Sequence, residues 1–218
     1  MASLKLVIGN KNYSSWSMRP WLALRANDIA FDEVFIPLYT DKKADKDRIL
    51  GFSLSGKVPT LVDGDITIWD SLSIIEYLAE KFPEKKLWPQ DPAHRAHARS
   101  ISAEMHSGFA ALRNECGMNL HRPVGAIALS DDAHANVARI QQIWSDCHRR
   151  YGGPFLFGSF GAADAMYAPV VHRFRTYAIE VAADARHYYD AMLSLPAFQQ
   201  WTREGLAETL VIERFEAV

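Results

Sequence analysis

The stretch Lys57-Val58-Pro59-Thr60-Leu61-Val62-Asp63-Gly64-Asp65-Ile66-Thr67-Ile68-Trp69-Asp70-Ser71 leaves this chain few ways to fold. A proline without an N–H to donate fits the first residue of a strand. A tight turn then joins two short apolar runs, and Leu72, Ile75, Leu78, Ala79 and Phe82 recur at helical spacing with Ser71 at or near the N-cap. Two readings stand at Pro59. A cis Val58-Pro59 bond turns the N–H and C=O of Val58 outward, where an extended peptide can pair with them; a trans bond merely opens the strand. Two also stand at Asp70-Ser71: the carboxylate and the helix N-terminus suit the ammonium and carboxylate of an amino acid, or they simply cap the helix.

Upstream, Leu4 to Ile8 reads as a strand, Met18 to Ala26 as a helix, Val34 to Ile36 as a strand and Lys42 to Leu50 as a charged helix, giving βαβαββα over the first eighty residues. In Tyr13-Ser14-Ser15-Trp16-Ser17-Met18-Arg19-Pro20-Trp21, a helix starting near Ser17 places Pro20 in the first turn and Met18, Trp21 and Leu22 on the core. Ser15 or Ser17 serves as its cap. Hydroxyls at that positive helix end suit a thiolate. Pro83, Pro89 and Pro92 mark a linker over 83–93, separating residues 1–82 from an all-helical part over 94–218. In that second part, Ile101, Met105, Gly108 and Leu112 form one stripe, and Val137, Ile140, Ile143 and Trp144 another. The apolar segment Ala162 to Ala178 is the expected central helix.

A net charge of −2 offers no basic field, so nucleic acid is set aside. The N-terminal run is too short for a signal peptide and no later run has the length of a membrane span, so a cytoplasmic protein without a membrane partner is expected. Cys116 and Cys147 lack CxxC spacing and read as buried thiols. His94 and His97 share a helical face without a third ligand of fitting spacing, so no metal is expected. Ser14 lacks a GxSxG elbow and is not read as a hydrolase nucleophile.

Taken together, Ser-Ser-x-Ser-x-Arg at 14–19, Val-Pro-x-Leu at 58–61 and acid-Ser ahead of Ile74-Ile75-Glu76-Tyr77-Leu78 resemble the cytosolic glutathione S-transferases, in particular serine-type, zeta-like bacterial members. The resemblance implies an α/β thioredoxin-like N-terminal domain followed by an all-α C-terminal domain, with glutathione as co-substrate. It makes Ser14 the hydroxyl that stabilises the thiolate, Val58 the backbone partner ahead of a cis-Pro59, Asp70 and Ser71 the contacts to the γ-glutamyl amine and carboxylate, and Lys57 a contact to a glutathione carboxylate. It places Met105, His106, Phe109 and Arg113 on the first C-terminal helix, where Arg113 can meet an anionic second substrate. It also implies a homodimer and a role in detoxification. Three features depart from the family pattern: Trp16 stands where zeta-like members carry Cys, Gly161 stands where a Ser or Thr caps the central helix ahead of Asp164, and the arginine that zeta-like members carry on that helix has no clear match, Arg173 and Arg175 lying near its expected place. The expected function is addition of the glutathione thiolate to a small electrophile. The alternatives are a non-catalytic glutathione-binding or stress-response module and a glutathione-dependent isomerase or dehalogenase.

Overall fold

The computed structural model describes residues 3–216, apart from the side chain of Lys42. Four strands, β1 (Lys5–Ile8), β2 (Asp32–Phe35), β3 (Thr60–Asp63) and β4 (Ile66–Trp69), form one sheet in the order β2-β1-β3-β4. β1 runs parallel to β2 and antiparallel to β3, and β3 and β4 form the hairpin set by Asp63 and Gly64. Strand periodicity divides β1 between two faces. Leu6 and Ile8 join the main core beside α1 (Ser15–Arg25) and α3 (Ser71–Lys81), whereas Val7 joins Ile36 and Ile49, the latter on α2 (Lys42–Leu50). This is the expected βαβαββα order.

Six longer helices follow: α4 (Pro92–Ser107), α5 (Ala110–Glu115), α6 (Asp131–Tyr151), α7 (Ala162–Thr176), α8 (Arg186–Ser194) and α9 (Pro196–Leu206). Fourteen of the residues in α7 are buried, which makes it the central helix of this part. Its His172 is enclosed, ring-stacked on Phe198 at 4.2 Å and 3.2 Å from the Thr202 hydroxyl, and burial pushes its pKa down to about 3. The sheet and the helices share one hydrophobic core rather than owning one each. Trp21 of α1 meets Trp201 of α9 edge-on at 5.3 Å, and the Arg19 Nε–H donates to the Met166 carbonyl of α7 at 3.0 Å.

Two sequence expectations are corrected and one, the start of α3, is sharpened. α1 begins at Ser15, so Pro20 falls in its second turn and removes one rung of the helix ladder; the turn persists because residues 17–24 are all buried. Ser71 is the first residue of α3, and Asp70 is the cap. The stripe from Ile101 to Leu112 is interrupted. Gly108 ends α4 in extended backbone, where a Cβ would meet the Glu104 carbonyl at 2.7 Å, and Phe109 is left-handed at φ 58° and caps the start of α5, so Phe109 and Arg113 belong to α5 and not to the helix that carries Met105 and His106.

The other unexpected residue, Gly161, is explained by close approach. A Cβ there would lie 2.7 Å from the Leu87 carbonyl, which accepts the Ala162 N–H at 2.8 Å. Asp164 still caps this helix end through Gly161 N–H at 2.8 Å and also accepts Leu156 N–H at 3.0 Å. Burial raises its carboxyl to about 7, against the pull of those donors.

Candidate functional site

Ser14 is the cap of α1, the role expected of Ser15 or Ser17. Its Oγ accepts the Ser17 N–H at 3.2 Å, and the two hydroxyls are hydrogen-bonded at 2.8 Å. Ser17 Oγ in turn accepts the Gly9 N–H at 3.2 Å. Ser17 Oγ thus accepts from both the Gly9 N–H and the Ser14 hydroxyl, and Ser14 stands at the mouth of a cavity. The same helix end adds its partial positive charge. Tyr13, one residue earlier, is differently committed: its hydroxyl donates to Glu216 Oε1 at 2.5 Å and accepts the Ile212 N–H at 3.2 Å. Burial, followed by the Glu216 hydrogen bond, raises its pKa.

The cavity beside Ser14 holds about 400 Å³ and is bounded by the β1–α1 loop, by Leu38 and Tyr39, by Lys57 and Val58, and by the C-terminal segment. A second hollow of about 530 Å³ adjoins it, because Trp16, Lys57 and Val58 line both; it extends to Asp70, Ser71 and His106. The Val58-Pro59 bond is cis. Among the described residues, neither the N–H nor the C=O of Val58 has a hydrogen-bond partner, so both are available along the line between the two hollows. Lys57 is exposed at the same edge.

Asp70 sits at φ 73° and ψ 135°, a conformation that non-glycine residues rarely adopt and that clusters at functional sites. Its Oδ1 accepts Leu72 N–H at 2.9 Å and Ser73 N–H at 3.4 Å, leaving Oδ2 facing His106 Nε2 at 3.2 Å. Ser71 Oγ is buried at the helix start without a hydrogen-bond partner. His106 therefore reaches the acid-hydroxyl pair, which its placement in sequence on a helix of the other part did not reveal.

Trp16 occupies the junction of the two hollows. Its ring lies between the Arg19 guanidinium at 4.2 Å and the Arg113 guanidinium at 4.7 Å, with the His106 ring edge-on at 5.3 Å. Arg113 also donates to the carbonyls of His106 and Gly108 at 3.3 Å, so this side chain braces the α4–α5 break behind Trp16 and lines neither hollow. Burial, with Arg173 and Arg113 nearby, holds the Arg19 pKa well below the usual guanidinium range. The bulk of Trp16 is thus stacked between cations.

His97 Nδ1 meets the Tyr151 hydroxyl at 2.7 Å, and no group of three His, Cys, Asp or Glu side chains suited to a metal occurs among the described residues. Both cysteines are buried, and burial raises Cys116 to about 11 and Cys147 to about 12. No helix of the described residues is long and apolar enough to cross a membrane.

A mixed sheet with a cis-proline just ahead of its hairpin, two helix N-termini opening on adjoining hollows and a helical part sharing the core together define a thioredoxin-like sheet domain joined to a helical one. The chain belongs to the glutathione S-transferase family: residues 13–81 match its N-terminal domain and residues 93–204 its C-terminal domain. A maleylacetoacetate isomerase from Rattus norvegicus is 30% identical over 194 residues, 85% of each chain. Glutathione S-transferase Z2 from Arabidopsis thaliana is 27% identical over 215 residues, 91% of this chain and 93% of that one. These relatives agree with the zeta-like character of the Ser14 motif. A glutathione transferase homologue from Burkholderia, crystallised with bound glutathione, shares the fold with a TM-score of 0.70 and 23% identity over 95% of this chain and 100% of that one.

Proposed function

We propose that this glutathione transferase binds the tripeptide across both hollows and adds its thiolate to a small electrophile, with Ser14 as the donor to sulfur. The observation that carries this reading is the Ser14 hydroxyl, which stands at a helix N-terminus in a cavity shared with the free backbone groups of Val58. Val58 pairs with the cysteinyl unit and Lys57 faces a carboxylate. Asp70 takes the γ-glutamyl ammonium, displacing or sharing His106, and Ser71 with the start of α3 takes the carboxylate. Arg113 acts on a second substrate only through Trp16, which it stacks against.

The energetics are modest. Lowering a thiol pKa from about 8.5 by two units needs about 2.7 kcal/mol of thiolate preference. A hydrogen bond to a charged group contributes about 1.5–3 kcal/mol and a helix end about 0.3–1 kcal/mol more. The Ser14 hydroxyl donates to Ser17 Oγ before glutathione binds; turning it to sulfur lets the Ser17 O–H donate to Ser14 Oγ in its place, with the Gly9 N–H polarising the pair from behind. The thiolate then attacks the electrophilic carbon, a C–S bond forms, and the leaving group departs with the electron pair.

The rest of the reading is a cytoplasmic homodimer serving detoxification, divided into residues 1–82, a linker over 83–93 and a helical domain over 94–218. A glutathione-dependent isomerase or dehalogenase is the second reading, favoured by the maleylacetoacetate isomerase relative. Retention on immobilised glutathione, followed by thioether formation with an aryl chloride, tests the proposal. Absence of binding by calorimetry at millimolar glutathione refutes it.

A further inference from the structure

Ser14 stands at the end of a turn that owes its shape to other parts of the chain. Residues 10–13 lie outside β1 and α1, yet all four are buried. The Asn10 carbonyl closes the turn by accepting the Tyr13 and Ser14 N–H groups at 3.2 and 2.7 Å, which sets where Ser14 enters α1. The two central N–H groups are satisfied from outside. Glu208, two residues beyond α9, accepts the Lys11 N–H at 2.6 Å on one carboxylate oxygen and the Asn12 N–H at 3.1 Å on the other. Among the described residues no other group accepts either. The end of α9 also presses on the turn directly, since a Cβ on Gly205 would lie 3.2 Å from the Lys11 carbonyl carbon and 3.3 Å from the Asn12 nitrogen. Further ties surround it: Asn12 Oδ1 takes the Leu120 N–H at 2.6 Å, the Lys11 ammonium pairs with Glu33 and Glu204, and the Tyr13 hydroxyl is latched to Glu216.

We propose that Glu208 is a positioning residue for the thiolate: its carboxylate clamps the turn from the helical part, so that the Ser14 hydroxyl meets sulfur at hydrogen-bond length and angle. This deepens the glutathione reading of the same site and rests on it. Glu208 lines neither hollow, so it acts on sulfur only through the turn. Buried backbone N–H groups need acceptors, and two successive ones held by one carboxylate fix a turn more firmly than neutral acceptors do. Donor geometry then matters steeply, because a misplacement of about 1 Å imposed from afar costs about a hundredfold in rate. The sign of the effect separates a clamp from a field. A carboxylate acting through its charge alone raises a nearby thiol pKa by repulsion, so its removal would lower that pKa. Removal of a clamp raises it, because Ser14 loses its hold on the sulfur.

The test follows the bound glutathione thiolate by ultraviolet difference absorbance against pH, and conjugation of a dinitro-substituted aryl chloride, in wild type, Glu208→Ala, Glu208→Gln and Glu204→Ala. For a thiol half-ionised near pH 6.5 in wild type, Glu208→Ala is expected to raise that midpoint by about 0.7, which lowers the rate at pH 6.5 about threefold and leaves it nearly unchanged at pH 9. Affinity for S-methylglutathione, which has no thiol to ionise, stays as in wild type. Glu208→Gln keeps a carbonyl oxygen for one of the two N–H groups and gives a smaller rise in the same direction, which carries the test if the alanine variant does not fold. Glu204→Ala removes an ion pair of Lys11 at the same end of α9 but neither turn bond, and Lys11 keeps Glu33, so its titration stays as in wild type even where Tm falls. A midpoint unchanged or lowered in both Glu208 variants, with glutathione bound normally, overturns the clamp alone. So does an equal rise in Glu204→Ala. Failure of the full wild-type chain to bind glutathione, or to show a bound thiolate, overturns the underlying reading and the clamp with it.

Discussion

Ser14→Ala separates the two jobs of one hydroxyl. As the α1 cap, Ser14 Oγ accepts the Ser17 N–H, and truncating such a cap costs about 1 kcal/mol, a fall of about 3 °C in Tm for a chain of this size. As donor to sulfur it supplies a charge-assisted hydrogen bond of about 2 kcal/mol, whose loss raises the bound thiol pKa by about 1.5 units. If the bound thiol has a pKa of about 6.5 in wild type, the thiolate fraction at pH 6.5 falls from about one half to about 3%, roughly fifteenfold, and the deficit nearly vanishes by pH 9. Ultraviolet difference absorbance of the bound thiolate against pH gives the shift directly, and conjugation rates at the two pH values give it independently. Ser17→Ala removes the hydroxyl behind Ser14 and produces a smaller shift, below one unit, together with the cost of leaving the buried Gly9 N–H unpaired. A Ser14→Ala thiolate titration within about 0.3 units of wild type, or a rate loss equal at both pH values, refutes the hydroxyl mechanism and leaves the thiolate to the helix end.

Asp70→Asn keeps an N-cap of equal quality and a residue that tolerates positive φ, so it isolates the charge: calorimetry is expected to show glutathione affinity falling by about 1.5–3 kcal/mol with Tm almost unchanged. Cys116 and Cys147, held neutral by burial, are expected to react with a disulfide reagent at pH 8 only on unfolding, and stoichiometric labelling of the native protein would contradict their enclosure. Two buried groups oppose each other as pH changes. His172, depressed to about 3, binds fewer protons folded than unfolded between about pH 3 and 6.5, so its contribution is lost as pH falls through that window. Asp164, raised to about 7, binds more protons folded between about pH 4 and 7, so its contribution grows as pH falls. Denaturant midpoints are expected to vary little across pH 4–6.5 in wild type; His172→Gln should gain stability on acidification and Asp164→Asn lose it, each by about 1.4 kcal/mol per pH unit.

Most of the α/β part was legible in the sequence because its signals are local. Asp63-Gly64 forces a hairpin, β1 alternates between two cores, and α3 carries an apolar stripe from Leu72 to Leu78. The α1 cap was read as Ser15 or Ser17 where Ser14 holds it, and Ser71, read at or near the α3 cap, stands just inside Asp70, because Ser14, Ser15 and Ser17, or Asp70 and Ser71, satisfy the same local rule; only the approach of Gly9 and His106 from elsewhere distinguishes them. The Gly108 break was hidden by its spacing, since a glycine fits a helical stripe as well as it fits the extended turn that follows Glu104. The Tyr13–Glu216 latch spans about two hundred residues and has no local signature at all. His106 was placed on the correct helix, but that it faces Asp70 follows from how α3 and α4 pack.

Trp21 against Trp201 and Arg19 on the Met166 carbonyl have a consequence for protein engineering. Cutting at the proline-rich joint and grafting the helical half of a relative onto this sheet would transplant α7 and α9 without the surface of α1 that was shaped to receive them. The incoming helices would meet an indole and a guanidinium with no matching recess or acceptor, and buried mismatches of that kind cost several kcal/mol. Productive chimeras should therefore carry α1 with the donor's helices. Directed evolution of substrate range is better confined to Ile212 and Phe215, which line the cavity without crossing that seam.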